Sequence, residues 1–173
     1  MAFASTSAAV NTPSPTNSVY DVFLSHRGPD TKNSFTSHLY HRLVLHGFRV
    51  FWDKEEMQVG DTLTRQIHDA IKAASLHVAV FSPRYAESTW CLQELLLMLE
   101  SKKPIIPVFY RVQPTDLRRT EGEGVYAEAL RNLEKKRASD SQPPYNPTTI
   151  QNWRKALSTV AEISGLELDK FNG

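Results

Sequence analysis

Cysteine is nearly missing from this chain: Cys91 is the single one in 173 residues. That count excludes an internal disulfide framework and a multi-cysteine zinc site. An excess of charge is missing too. Lys and Arg number 20 against 19 Asp and Glu, a net charge of +1. Such a chain lacks the broad basic field of a duplex-binding protein, so nucleic acid is not expected as a partner. No apolar run approaches the roughly 20 residues of a membrane span, so no membrane partner is expected. The start lacks a basic segment followed by an apolar one, so no secretory signal is expected. The six histidines show no metal-ligand spacing. His38 and His41 stand three apart without a third ligand, and no metal is expected. There is no internal repeat. Together these absences point to a reducing intracellular setting, cytoplasmic with the nucleus open to it.

Hydrophobic residues make up 40% of the chain, enough for one core. A single fold of this size buries roughly two-thirds of its unfolded surface. Met1–Ser18 is built of Ala, Ser, Thr, Pro and Asn with no charge. It cannot bury enough surface to order itself, and is expected to be a disordered leader. The folded domain is expected over residues 19–173. Four short runs rich in Val, Ile, Phe or Tyr read as strands: Tyr20–Leu24, Phe48–Trp52, Leu76–Phe81 and Ile105–Tyr110. The last two are nearly continuous hydrophobics, as expected of strands covered on both faces.

Helical patterns lie between these runs. Phe35, Leu39 and Leu43 recur every four residues, and Gly47 follows as a C-terminal cap. Thr64 can cap a helix whose inner face is Ile67, Ala70, Ile71 and Ala74. Trp90–Leu99 is apolar on most sides and reads as a buried helix. A polar loop is expected over Arg111–Gly124 and a charged helix from Val125 to about Lys136. Ala138–Pro147 carries three prolines and looks disordered. A helix then runs from about Thr148 to Ile163, Gly165 breaks it, and Leu166–Leu168 suits a fifth strand. Alternating strands and helices predict an open parallel α/β sheet with right-handed crossovers.

In such a sheet ligands bind at the carboxyl ends of the strands, where the strand order reverses. Three loops leave those ends. Ser25–Thr31 holds Arg27, Gly28 and a helix start, a combination that suits an anion. Asp53–Leu63 is long and charged and contains Gly60. Ser82–Trp90 leads into the buried helix, and Glu94 follows Trp90 by four residues. Positions i and i+4 share a helix face, so an indole and a carboxylate would lie side by side. An aromatic plane beside an anionic oxygen can hold a flat cationic ring. Each residue also has a structural alternative. Asp30 and Thr31 can cap a helix, Arg27 can neutralise a carboxylate, Trp90 can fill the core, and Glu94 can be an exposed helix residue. Cys91 reads as an inert buried thiol.

These residues resemble a known family. Tyr20–Thr31 is similar to the opening motif of plant Toll/interleukin-1 receptor (TIR) domains, and Phe81–Leu95 to their second signature. Pro107–Tyr110 with Pro114–Arg118 is similar to the third. Trp153–Leu157 with Ser164 and Gly165 is similar to the C-terminal part. Four motifs in the right order, over about residues 19–173, make the resemblance specific. It departs from the usual pattern at His26, Pro29 and Lys32, where Phe, Glu and Arg are commoner, and the sequence stops before the family's last helix. No nucleotide-switch domain or leucine-rich repeat follows, so the sequence resembles TIR-only proteins.

The resemblance implies a flavodoxin-like, five-stranded parallel sheet with helices on both faces, the last helix absent or truncated. It also implies an NAD⁺ hydrolase or cyclase that signals in plant immunity and cell death, with NAD⁺, and NADP⁺ as a second candidate, as substrate rather than cofactor. By motif position Glu94 would be catalytic. Arg27, Gly28, Trp52, Ser88 and Trp90 would bind substrate. Asp53, Gly60 and Asp61 would lie on a mobile loop that gates the pocket. Ser37, His38 and Gly165 would serve self-association into a homo-oligomer through TIR–TIR contacts. Two competing readings are a non-catalytic adaptor that uses the same surfaces, and a cyclic-nucleotide synthetase acting through Cys91.

Overall fold

A computed structural model describes residues 19–31, 33–52, 65–139 and 145–171. The apolar runs become β1 (Tyr20–His26), β2 (Val50–Trp52), β3 (Ala74–Phe81) and β4 (Ile105–Phe109), and β5 is the short Leu166–Glu167. They form one sheet in the order β2-β1-β3-β4-β5, and every pairing is parallel. The expected five-stranded sheet with helices on both faces is therefore found. The chain crosses from β1 out to β2 and back over to β3, so the order reverses between β1 and β3. His26 pairs with Val80 at that crevice.

The helices are α1 (Gly28–Thr31), α2 (Phe35–Leu45), α3 (Arg65–Ala73), α4 (Thr89–Glu100), α5 (Pro114–Arg118), α6 (Val125–Ser139) and α7 (Pro147–Val160). Single 3-10 turns occupy Tyr85–Glu87 and Leu168–Lys170. Two expectations shift. The polar stretch Arg111–Gly124 is not all loop, because α5 forms within it. Pro114 opens that helix, and the Asp116 carboxylate accepts the Gln113 backbone N–H at 2.8 Å. The segment Ser82–Trp90 is not an open loop either, since Tyr85 and Ala86 in its 3-10 turn are fully buried. Thr64 and residues 140–144 lie outside the described residues, while Ala138 and Ser139, expected in the disordered stretch, end α6 and Pro147 opens α7.

Alternation along each strand splits the core in two, as period-2 geometry requires. Phe23, Ala79, Phe81, Ile105 and Phe109 face one side, where α3, α4, α6 and α7 contribute Ile71, Leu95, Leu130 and Trp153 to the same cluster. Val22, Leu24, Val78, Val80 and Val108 face the other side and meet Phe35, Leu39 and Leu43 of α2. The first face carries the thicker cover, and α4 on that face brings the candidate site to the sheet.

Candidate active site

The site is built where β1 ends and α4 begins. Ser88 caps α4, its hydroxyl accepting the Cys91 N–H at 3.2 Å. Thr89, Trp90, Cys91, Leu92, Leu95 and Met98 of this helix are buried. Glu94 lies among them and is only 3% exposed. A carboxylate in that position is costly unless donors meet it. One does: Ser25 at the end of β1 donates its hydroxyl to Glu94 Oε2 at 2.6 Å. Ser25 is itself buried, and its Oγ lies 3.0 Å from the Tyr85 hydroxyl. Tyr85 also donates to the Cys91 carbonyl at 3.1 Å. Burial pushes the Tyr85 phenol well up, with Cys91 and Glu94 nearby adding to it, so it stays protonated and able to donate.

The reading of Glu94 as an exposed helix residue is thereby overturned. Trp90, one turn earlier on the same helix, is buried, and its indole N–H meets no acceptor among the described residues. A buried donor without a partner is uncommon and marks a place where an acceptor belongs. Cys91 is poorly placed to act as a nucleophile. Its thiol is buried and points at the His26 carbonyl, 3.4 Å away. Burial pushes its pKa up first, and the Glu94 charge adds to that. The thiolate that nucleophilic chemistry needs is therefore disfavoured.

A second, shallower group forms the rim. Arg27 donates to Asp30 Oδ1 at 3.0 Å and to Glu87 Oε2 at 3.2 Å, with its side chain 15% exposed. Ser82 donates to Asp30 Oδ2 at 2.6 Å, and Tyr126 of α6 donates to the Ser82 carbonyl at 2.8 Å. Arg84 reaches Glu87 at 3.0 Å. Arg27 thus ties the start of α1 to the 3-10 turn, as the neutralising alternative anticipated. Its Nε is buried without a partner among the described residues. Gly28 opens α1, a helix of only four residues.

The other expected residues fall elsewhere. Trp52 ends β2 on the α2 side of the sheet, opposite to Trp90's cluster, and donates its indole N–H toward the His26 ring. Its ring also lies 4.8 Å from that of Tyr40. His38 is exposed on α2, with Nδ1 at 2.6 Å from the Ser34 carbonyl, and Ser37 beside it is half-buried. Gly165 is packed directly on β4. A Cβ there would press on the Pro107 carbonyl oxygen and come within 2.7 Å of Pro107 Cγ and 2.8 Å of Phe109 Cε2. Asp53, Gly60 and Asp61 lie outside the described residues. Among the described residues no group of three or more His, Cys, Asp or Glu is placed to hold a metal ion. None of their helices is long and apolar enough to cross a membrane.

Sequence reasoning missed two site residues, Ser25 as the partner of Glu94 and Tyr85 as the partner of Ser25. Both stood inside motifs already singled out. Their role depends on contacts across 69 and 60 positions of chain, which local spacing cannot signal.

Comparison with known proteins gives a consistent result. The TIR domain family model matches residues 19–173. The probable 2' cyclic ADP-D-ribose synthase BdTIR of Brachypodium distachyon is 36% identical over 154 residues, covering 89% of this chain and 62% of that protein. The TMV resistance protein N of Nicotiana glutinosa is 38% identical over 150 residues, covering 84% of this chain and 12% of that protein. Among solved structures, the TIR domains of the activated Roq1 resistosome, which directly recognises the pathogen effector XopQ, superpose with a TM-score of 0.75 at 38% identity. That match covers 89% of this chain and 91% of the other. The chain spans less than two-thirds of the length of these two curated relatives, 62% and 12%.

Proposed function

The chain belongs to the TIR domain family, and from that premise we propose that it cleaves the nicotinamide–ribose bond of NAD⁺. The observation that carries the reading is Glu94, a buried carboxylate held by Ser25 beside the β1/β3 crevice, one helical turn past a tryptophan with an unmet indole N–H. The 2' cyclic ADP-D-ribose synthase name of the Brachypodium relative supports the same substrate class.

The chemistry suits one carboxylate. Breaking the bond develops positive charge on the ribose, as in an oxocarbenium-like transition state. Nicotinamide leaves as a neutral pyridine and needs no proton, so the second, acidic carboxyl of an ordinary glycosidase is dispensable. Glu94 orients the ribose and stabilises the cation electrostatically, in a site where burial strengthens the effect. Trp90 offers a ring face to the pyridinium and its N–H to a substrate acceptor. Water trapping gives ADP-ribose, and trapping by a group of the same molecule gives a cyclic product. Arg27 and Gly28 face the phosphate side once Arg27 exchanges a carboxylate partner for the substrate.

Activity depends on self-association through TIR–TIR contacts, and the assembly works inside the plant cell in immune signalling and cell death. The resistosome relative supports that part of the reading. The test is incubation of the chain with NAD⁺, following nicotinamide by chromatography over a dilution series. Release is expected, with specific activity rising with protein concentration. A flat profile would remove the requirement for association. No release at any concentration would leave an adaptor.

A further inference from the structure

A carboxylate that stabilises a fleeting cation must be held within about half an ångström of its working position, and its own supporting contacts do that. The contacts around Glu94 allow a proton count. Ser25 has one hydroxyl proton, and at 2.6 Å it is directed at Glu94 Oε2. The single Tyr85 hydroxyl proton then lies between two acceptors, the Cys91 carbonyl at 3.1 Å and the Ser25 oxygen at 3.0 Å. The Ser25 proton is thus committed to the carboxylate, and the Tyr85 hydroxyl braces the serine from behind. The anchor is stiff. The Tyr85 ring is fully buried and packs on Phe81 with centroids 4.7 Å apart. Ser25 is fixed in β1 by its pairing with Ala79.

We propose that Ser25 and Tyr85 are positioning residues for Glu94: Ser25 donates to Glu94 Oε2, and the buried Tyr85 hydroxyl, held between the Cys91 carbonyl and the Ser25 oxygen, fixes Ser25 so that the carboxylate keeps its orientation toward the ribose. This rests on the reading of Glu94 as the group that meets the substrate. Neither hydroxyl touches the reacting atoms. Their effect is on how often the carboxylate is in place, so it falls on turnover rather than on substrate binding.

The test uses nicotinamide release from NAD⁺ by the full chain, with melting temperature measured alongside. Ser25→Ala is expected to lower kcat about tenfold to a hundredfold, the range for losing a hydrogen bond to a charged group, with KM nearly unchanged. Ser25→Thr, which keeps the hydroxyl, should retain more of the rate. Tyr85→Phe keeps the packed ring and should cost a few-fold. In a Glu94→Ala background Ser25→Ala should change nothing further, because the two act as one unit. A purely structural serine would instead lower the melting temperature and add its loss in that background. An active wild type with full activity in Ser25→Ala overturns the positioning role alone. A wild type that releases no nicotinamide overturns the reading of Glu94 as well. Should Ser25→Ala fail to fold, Tyr85→Phe decides: lowered kcat at constant KM supports the proposal, and unchanged kcat overturns it.

Discussion

Glu94 and His77 are both buried against this sheet, and they are held in opposite ways. Glu94, by the carboxyl end of β1, is met by a donor and kept among polar partners. His77, in β3 opposite the start of β4, is fully buried and has one ring nitrogen 3.0 Å from the Ile71 carbonyl. Its Nδ1 has no partner among the described residues. Burial pushes its pKa down and the Lys103 charge adds to that, although the Ile71 carbonyl opposes them. Lys103 meanwhile donates to the Ala74 carbonyl at 2.5 Å, closing the end of α3. His77 is thus a neutral packing element in a structural corner, while Glu94 sits where the strand order reverses. Burial of a titratable group does not by itself mark a site. The partners and the place in the topology separate the two cases.

The contrast between Glu94 and His77 is open to test by substitution. The largest effect is expected at Trp90. Trp90→Ala should cost about 3–5 kcal/mol of stability as a core truncation, read by denaturant unfolding. Trp90→Phe keeps most of the packing and removes only the N–H, so it should lower turnover by about tenfold while the fold stands. Equal activity in Trp90→Phe and wild type would make this tryptophan as purely structural as His77.

Gly165→Ala comes next. The added Cβ meets the Pro107 carbonyl and the Phe109 ring, so a loss of about 1–3 kcal/mol is expected from overpacking. It should appear as a lowered melting temperature in samples dilute enough to be monomeric. A normal melting temperature combined with lost self-association would assign the glycine to an interface instead.

The His77 side of the contrast is a pH experiment. A histidine whose folded pKa is depressed binds fewer protons folded than unfolded. Stability is therefore full above the ordinary histidine value of about 6.5 and declines as pH falls below it. Urea unfolding from pH 7.5 to 5 should show that decline, and His77→Gln should remove part of it. An unchanged slope in the variant would mean that other groups carry the acid sensitivity. The smallest effect is expected at Cys91. Cys91→Ala should alter nicotinamide release less than about threefold, and the native thiol should resist alkylation at pH 8. A large loss of activity would revive a chemical role for the sulfur.

Much of the fold could be read from the sequence because its signals are local. The runs Leu76–Phe81 and Ile105–Tyr110 announce β3 and β4, although Ile106 is left exposed, and Ile67, Ala70 and Ile71 announce the inner stripe of α3. Helix α5 escaped because five residues are too few for a periodicity. Pro114 at its first position, with an acid three residues after Gln113, was the available signal. The site divided in the same way. Glu94 and Trp90 were found by spacing and motif. The ion pairing of Arg27 with Glu87 and the hydroxyl chain through Ser25 and Tyr85 were not, because each joins residues 60 or more positions apart. Only the paired strands bring those positions together.

In the proposed reaction the Glu94 carboxylate stabilises a ribosyl cation. Glu94→Gln tests it most directly, because the side chain keeps its size and loses its charge. At equal protein concentration, with folding checked by melting, nicotinamide release should fall by about two to three decades. Release from the glutamine variant at the wild-type rate would contradict the account.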